Sequence, residues 1–285
     1  MTDSTRPGEA AVKESEPDKG GRNVPVAIGV GVLLGLLILG SLLWVKALFI
    51  VLASVALMIG VTELQRAFAN RNVKISALPL LIGTPIVCVA AFWHGEQAFL
   101  ASFAALFLVL LVWRMPSGTD NYVRDTTASV FVACYLPLML GFAALMLRTD
   151  DGPIWIIAFV ALTISSDIGG FAAGVLFGKH PMAPSISPKK SWEGFAGSII
   201  AQVAVGVGLF VWALDGSWWM GVVAGVVMTI TATLGDFVES SIKRDLGIKD
   251  MGSIVPEHGG IMDRLDSLLP NAFVAWALFA AFLGT

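Results

Sequence analysis

Long apolar segments follow one another along almost the whole chain after Asn23. Each is about 20 residues long, the length that an α-helix needs to cross the hydrocarbon core of a bilayer. Only 14% of the residues are charged, whereas soluble domains carry about one quarter. The sequence therefore predicts an all-α, polytopic integral membrane protein and excludes a soluble globular fold.

The polar breaks between the apolar segments predict nine transmembrane helices. The first two predicted helices are separated only by Gly40, Ser41 and Lys46, so a very tight turn must join them. In chain order, the predicted spans are 24–45, 47–64, 76–93, 97–113, 126–147, 153–177, 195–214, 218–238 and 270–284. Residues 1–23 are predicted to be a disordered cytoplasmic tail because they carry hardly any apolar side chains.

The distribution of Lys and Arg predicts the orientation, because cytoplasmic loops carry the excess of these residues. With nine helices and a cytoplasmic amino terminus, 16 of the 18 basic residues lie on the inner side. Only Lys46 and Arg148 then lie outside. We divide the membrane part into amino-terminal helices, 24–152, and a carboxyl-terminal half, 153–285, in which we expect the chemistry.

Charge is concentrated between residues 236 and 266, which include seven acidic and four basic residues together with His258. Asp236 lies inside an apolar run, where a carboxylate costs about 2.5–3.5 kcal/mol. On a helix, Asp236, Glu239 and Lys243 share one face, and Asp263 and Asp266 repeat the spacing of three. Two such carboxylate pairs facing one cavity would suit Mg²⁺ and bound phosphates. The alternative is that the carboxylates only pair with the basic residues of this stretch, which are Lys243, Arg244, Lys249 and Arg264.

The motif His258-Gly259-Gly260 lies between the two acidic pairs. Adjacent glycines let the backbone approach a ligand and turn N–H groups toward an anion. His258 could bind phosphate, transfer a proton or only hold the loop. This stretch therefore predicts a phosphate contact, with three roles open for the histidine.

A second polar cluster precedes the seventh predicted helix and contains Ser187, Lys189 and Lys190. With a helix start at Trp192 or Glu193, these side chains could hold a polyphosphate, although the positive-inside bias explains the lysines equally well. Upstream, Asp167 interrupts an apolar stretch, and a buried carboxylate there would need a metal or substrate contact. The neighbouring glycines at 170, 174 and 178 predict close helix packing.

Two gapped motifs resemble those of the phosphatidate cytidylyltransferase family. The first consists of Ser240-Ser241-Ile242-Lys243-Arg244, Lys249-Asp250 and His258-Gly259-Gly260-Ile261-Met262-Asp263-Arg264-Leu265-Asp266. The second consists of residues 177–180 and 186–194. The resemblance covers the carboxyl-terminal half, whereas the amino-terminal half is similar only in being a set of helices.

The resemblance implies a bacterial enzyme of the cytoplasmic membrane, often dimeric, that converts CTP and phosphatidic acid to CDP-diacylglycerol and pyrophosphate. We therefore expect a homodimer in the lipid bilayer, an active site facing the cytoplasm and no nucleic-acid partner. The implied metal is Mg²⁺, which K⁺ can accompany at a paired site, and its expected ligands are Asp167, Asp236, Asp263 and Asp266. The expected catalytic residues are Asp236, Asp263, Asp266, Lys243 and His258. The expected substrate-binding residues are Ser187, Lys189, Lys190, Glu239, Arg244, Lys249, Asp250, Gly259, Gly260 and Arg264.

Two other functions fit the residues without the resemblance. A CTP-dependent lipid kinase would use the same charges but attack the γ-phosphorus and release CDP. An ion-coupled transporter would use Asp167 and Asp236 for coupling. The transporter also predicts inverted repeats, and the sequence contains none that we can recognise.

Overall fold

The computed structural model describes residues 35–252 and 260–284. Within these residues, eight helices are long and apolar enough to cross a membrane. The prediction of an all-α polytopic membrane protein is confirmed. The predicted tail, 1–23, lies outside the described residues, and so does half of the first predicted span, residues 24–34. Residues 35–44 of that span are helical and form α1 (Gly35–Trp44).

The amino-terminal half continues with five helices joined by short connections. Only Val45, in an extended conformation, separates α1 from the next helix, so the predicted break is confirmed. Between the fifth and sixth helices, a π-helical turn, Cys134–Leu138, makes one continuous membrane-crossing segment. The helices are α2 (Lys46–Ala69), α3 (Ala77–His94), α4 (Glu96–Trp113), α5 (Tyr122–Ala133) and α6 (Met139–Arg148).

The carboxyl-terminal half contains α7 (Gly152–Phe177), α8 (Trp192–Trp212), α9 (Trp218–Leu246), α10 (Met262–Leu265) and α11 (Leu268–Leu283). Helix α9 extends past the predicted end at residue 238, and the last membrane span, formed by α10 and α11, begins before the predicted start at residue 270. A prediction from hydropathy ends each span at the first charged residues. In the structure these charges are paired, as Lys243 is with Glu239 at 3.0 Å, so the helix continues through them. The acidic residues therefore lie on helices that continue from the membrane spans.

A small β-hairpin replaces the loop predicted between α7 and α8. Strands β1 (Pro181–Ala183) and β2 (Ser187–Ser191) are antiparallel, with an irregularity between Pro181 and Ala183. The Ser191 hydroxyl accepts a hydrogen bond from the Gly194 amide at 3.1 Å and caps α8, which begins at Trp192 as predicted. The hairpin thus carries its lysines directly to the start of a helix.

Glycines bring α7 and α8 into close contact. A Cβ atom on Gly194 would lie 3.0 Å from the Gly170 carbonyl oxygen, and one on Gly174 would lie 3.8 Å from the Gly194 Cα. The predicted packing role of this stripe is confirmed, because larger side chains would force the helices apart. The close packing places α7, the hairpin, α8 and α9 around one cavity.

The two basic residues assigned to the outer side lie near the same interhelical turn. The Lys46 ammonium donates to the Thr149 carbonyl oxygen at 2.7 Å. Thr149 follows Arg148, which ends α6 and whose guanidinium lies beside Gly95. Both basic residues therefore belong to one end of the helical bundle.

Candidate active site

A cavity of about 190 Å³ lies between α7, the β1–β2 hairpin, α8 and α9. Its wall combines side chains from the two polar clusters that are separate in the sequence. The polar and charged residues among those lining it are Ser166, Asp167, Lys189, Lys190, Ser191, Ser198, Thr233 and Asp236. The fold therefore joins the lysine cluster to the acidic cluster.

Lys190 and Asp236 form an ion pair across the cavity, although 46 positions separate them. Lys190 approaches from the hairpin, and Asp236 projects from the membrane-spanning part of α9. The Lys190 ammonium also lies 5.2 Å from the centre of the Phe237 ring, which is a favourable position for a cation. This pairing offsets part of the cost of a carboxylate at membrane depth.

Three carboxyl groups meet behind this ion pair. The Asp266 carboxyl contacts those of Asp236 and Glu239, and the charge of Asp167 acts on the same group. Glu239 is only 1% exposed, and no described residue donates a hydrogen bond to its Oε1 atom. Since like charges this close repel one another, the cluster is suited to a bound cation.

Asp263 is held differently. Its carboxylate accepts hydrogen bonds from the Lys243 ammonium at 2.9 Å, the Gly260 amide at 2.9 Å and the Met251 amide at 3.1 Å. Lys243 also donates to Glu239 on its own helix, so this one ammonium joins Glu239 of α9 to Asp263 of α10. Asp263 and Glu239 therefore both pair with a lysine, which is the arrangement that the sequence offered as the alternative to a metal site. The metal-ligand role of Asp263 stays a prediction.

The donor set at the meeting point fits Mg²⁺ bound together with a substrate. Within residues 35–252 and 260–284, no three carboxylate, imidazole or thiol groups surround one metal position. Mg²⁺ is commonly held by one or two carboxylates plus phosphate oxygens and water, and Asp236 and Asp266 provide such a pair. Their oxygen atoms suit Mg²⁺ rather than zinc, which prefers nitrogen and sulfur ligands.

The remaining basic candidates lie around the cavity and the end of α9. Lys189 is exposed on the cavity wall, and Ser187 begins β2. Arg244 reaches the hairpin, with its Nε atom 3.4 Å from the Ile186 carbonyl oxygen. Arg264 is exposed on α10, and its charge acts on Asp167. Lys249 and Asp250 are exposed after the end of α9.

The structure differs from some of the expectations for site residues, and two of the expected residues lie outside the described part of the chain. Asp167, expected to be buried, is exposed where α7 borders the cavity. His180 lies 2.6 Å from a Glu193 carboxylate oxygen through Nδ1. His258 and Gly259 lie outside the described residues. The Gly260 amide, expected to face an anionic ligand, donates to Asp263 instead.

Glu63 is a site-supporting residue that the sequence reasoning missed. It is fully buried on α2, and its two carboxylate oxygens accept the Ile261 amide at 3.0 Å and the Met262 amide at 2.9 Å. A Cβ atom on Gly260 would lie 2.8 Å from Glu63 Oε2, so glycine makes room for this carboxylate. The signal was present, since Glu63 falls inside the predicted span 47–64, where a charged side chain needs a partner.

Comparison with known proteins shows a family similarity that includes the amino-terminal half of the chain. The model of the Cytidylyltransferase family matches residues 25–282. The chain is 39% identical to the phosphatidate cytidylyltransferase of Mycobacterium bovis, over 92% of this chain and 90% of the relative. It is 38% identical to that of Mycobacterium leprae, over 97% and 95%. It is 31% identical to that of Helicobacter pylori, over 77% and 78%.

Proposed function

This chain belongs to the cytidylyltransferase family, and we propose that it transfers the cytidylyl group of CTP to phosphatidic acid. The products are CDP-diacylglycerol and pyrophosphate. The observation that carries the proposal is the ion pair between Lys190 and Asp236, which brings the lysine cluster and the carboxylate cluster together in one cavity. A reaction between two anionic substrates needs both kinds of group together.

In this mechanism, the lysines of β2 bind the CTP phosphates. Lys189 and Lys190 lie on the cavity wall and provide positive charge where pyrophosphate develops as the leaving group. The attacking group is a phosphatidate oxygen, which attacks the α-phosphorus in line. This oxygen is already ionised, so the site needs no strong general base.

Asp236 and Asp266 would hold Mg²⁺, with Glu239 and Asp167 adding negative charge nearby. The ion would lower the repulsion between the substrates and stabilise charge on the attacking and leaving oxygens. Lys243 holds Asp263 and Glu239 in place through its two hydrogen bonds. The family resemblance also suggests K⁺ as a second ion. On the same basis we propose Asp263 as a further metal ligand and His258 as a further catalytic residue.

The lipid substrate would reach the cavity along α7. Ile168, Phe171 and Val175 form an exposed apolar face on this helix, beside the cavity residue Asp167. The acyl chains can stay in the bilayer against this face while the phosphate enters the polar cavity. This arrangement explains why a site for water-soluble CTP lies next to membrane-spanning helices.

We place the enzyme in the bacterial cytoplasmic membrane, with the cavity facing the cytoplasm and CTP. The bacterial relatives and the distribution of Lys and Arg support this placement. We also propose a homodimer, on the basis of the family resemblance. Labelling of single cysteines from one side and cross-linking in the membrane would test orientation and dimer formation separately.

The function is tested with purified protein in detergent, phosphatidic acid, Mg²⁺ and CTP labelled at either the α- or the γ-phosphorus. We expect α-label in the lipid and γ-label in pyrophosphate. Label from the γ-position in the lipid would instead identify a kinase. An absence of metal-dependent turnover would overturn the enzyme assignment and favour the ion-coupled transporter.

A further inference from the structure

Tyr135 lies on the π-helical turn between α5 and α6. The side chain is 8% exposed, and its hydroxyl is buried without a hydrogen-bond partner among the described residues. A buried hydroxyl that forms no hydrogen bond destabilises a fold. Short π-helical turns inside α-helices frequently occur at functional sites. The position of this hydroxyl therefore needs an explanation beyond packing.

The surroundings of the Tyr135 ring are well defined. The ring stacks on Phe131, with 5.5 Å between the centroids and 14° between the planes. The next residue, Leu136, packs near Gly60 of α2 and Met262 of α10. The Leu136 contacts place the π-helical turn beside α2 and the start of the acidic segment.

The carboxylate cluster acts electrostatically on this phenol. The charges of Glu239, Asp266 and Asp236 all act on the buried Tyr135 hydroxyl. Glu239 Oε1 is itself buried and receives no hydrogen bond from a described residue. The Tyr135 hydroxyl and the Glu239 Oε1 atom are thus both buried, and neither forms a hydrogen bond with a described residue.

We propose that Tyr135 is a positioning residue of the carboxylate centre, whose hydroxyl donates a hydrogen bond to the Glu239–Asp266 carboxyl pair when a divalent cation is bound. The inference rests on the magnesium centre of the proposed function. With the cation held by Asp236 and Asp266, a hydroxyl that donates to the Glu239–Asp266 pair would fix the orientation of Asp266. Such supporting hydrogen bonds commonly change metal affinity by about 10- to 100-fold.

The chain offers a matched control, because its only other tyrosine is Tyr122. The Tyr122 hydroxyl donates to the Leu111 carbonyl oxygen at 2.7 Å and thus has a structural partner. Tyr135→Phe and Tyr122→Phe each remove one oxygen atom. The first should affect the cation, and the second should affect only stability.

The experiment measures Mn²⁺ binding to the full chain in detergent, from the electron paramagnetic resonance signal of free Mn²⁺. We expect Tyr135→Phe to bind Mn²⁺ about tenfold more weakly than wild type, and Tyr122→Phe to bind it equally well. Without metal, the unfolding temperature of Tyr135→Phe should equal or exceed that of wild type, whereas Tyr122→Phe should unfold earlier. The Mg²⁺ concentration for half-maximal turnover should rise about tenfold in Tyr135→Phe alone.

The outcomes separate this inference from the proposed function. Wild-type Mn²⁺ affinity in Tyr135→Phe would overturn the inference and leave the magnesium centre intact. A lowered unfolding temperature in Tyr135→Phe without metal would also overturn it, because the hydroxyl would then have a structural hydrogen bond. Wild-type protein that binds no Mn²⁺ would overturn the magnesium centre itself and this inference with it.

Discussion

The Glu63 carboxylate accepts the Met262 amide hydrogen at an N···O distance of 2.9 Å, although the two residues are 199 positions apart. This contact joins α2 to the first residue of α10. Asp263 follows immediately, and Asp266 lies one helical turn further on. An amino-terminal helix therefore holds the segment that carries two of the predicted site carboxylates.

Glu63→Gln should reduce cytidylyl transfer by 10-fold or more, through the position of α10. The amide of glutamine keeps one acceptor but turns a donor toward the second backbone N–H. An unsatisfied pair of buried donors costs about 1–3 kcal/mol. Turnover and thermal unfolding in detergent would measure both effects. Glu96→Gln, at an exposed position in the first turn of α4, is the control and should behave as wild type. Full activity in Glu63→Gln would show that α10 keeps its position without this carboxylate.

Asp236→Asn should abolish cytidylyl transfer, with a loss of at least about 1,000-fold that added Mg²⁺ does not restore. The substitution removes a charge that both pairs with Lys190 and forms half of the proposed metal-binding pair. Turnover at increasing Mg²⁺ is the measurement. Asp245→Asn, on the exposed face of the same helix, is the matched control. If Asp236→Asn turned over at one tenth of the wild-type rate, Asp236 could not be a principal metal ligand.

Lys190→Gln should raise the KM for CTP more than that for phosphatidic acid, by about 10-fold or more. Its ammonium lies at the cavity, where it can contact the nucleotide phosphates, and a charge-assisted hydrogen bond contributes about 1.5–3 kcal/mol. Steady-state kinetics with each substrate varied in turn would separate the two constants. Lys179→Gln changes a nearby exposed lysine outside the cavity lining and should leave both constants unchanged. A larger effect on phosphatidic acid would instead assign Lys190 to the lipid headgroup.

Removing divalent ions with EDTA should abolish turnover, and Mg²⁺ or Mn²⁺ should restore it. The carboxylate pair of Asp236 and Asp266 provides only oxygen ligands, which suit both ions. Turnover after dialysis and stepwise addition of each ion is the measurement. Retention of full activity in EDTA would argue against a metal-dependent reaction and leave lysines such as Lys189 and Lys190 to neutralise the substrates.

Asp125→Asn should lower the free energy of unfolding by about 2 kcal/mol without changing the catalytic constants of the folded protein. Asp125 is 1% exposed and accepts hydrogen bonds from Arg114, Arg124 and the Lys74 amide, away from the cavity. Losing charge-assisted hydrogen bonds at a buried carboxylate has about this cost. Denaturation in mixed detergent micelles would measure it. The exposed neighbour Asp120→Asn should unfold as wild type does. Equal stability of both variants would mean that Asp125 forms no net stabilising interaction.

Much of the site was predictable because charge inside an apolar segment is costly wherever the chain folds. That rule alone selected Asp167 and Asp236. The same rule applied to Glu63 but was not used there. Tyr135 gave no such signal, since tyrosine is common near membrane interfaces and its unpaired hydroxyl is visible only after folding.

The sequence by itself determined the fold class and most helix positions, because hydrophobic length and helical periodicity act locally. It also placed the carboxylates on helix faces, since spacings of three and four are properties of one helix. Only the tertiary structure decided which charges meet. Lys190 pairs with Asp236, Lys243 with Asp263, and Glu63 with the start of α10. These partners depend on how α2, α7, α8, α9 and α10 pack, and helix packing follows from contacts between residues far apart in the chain.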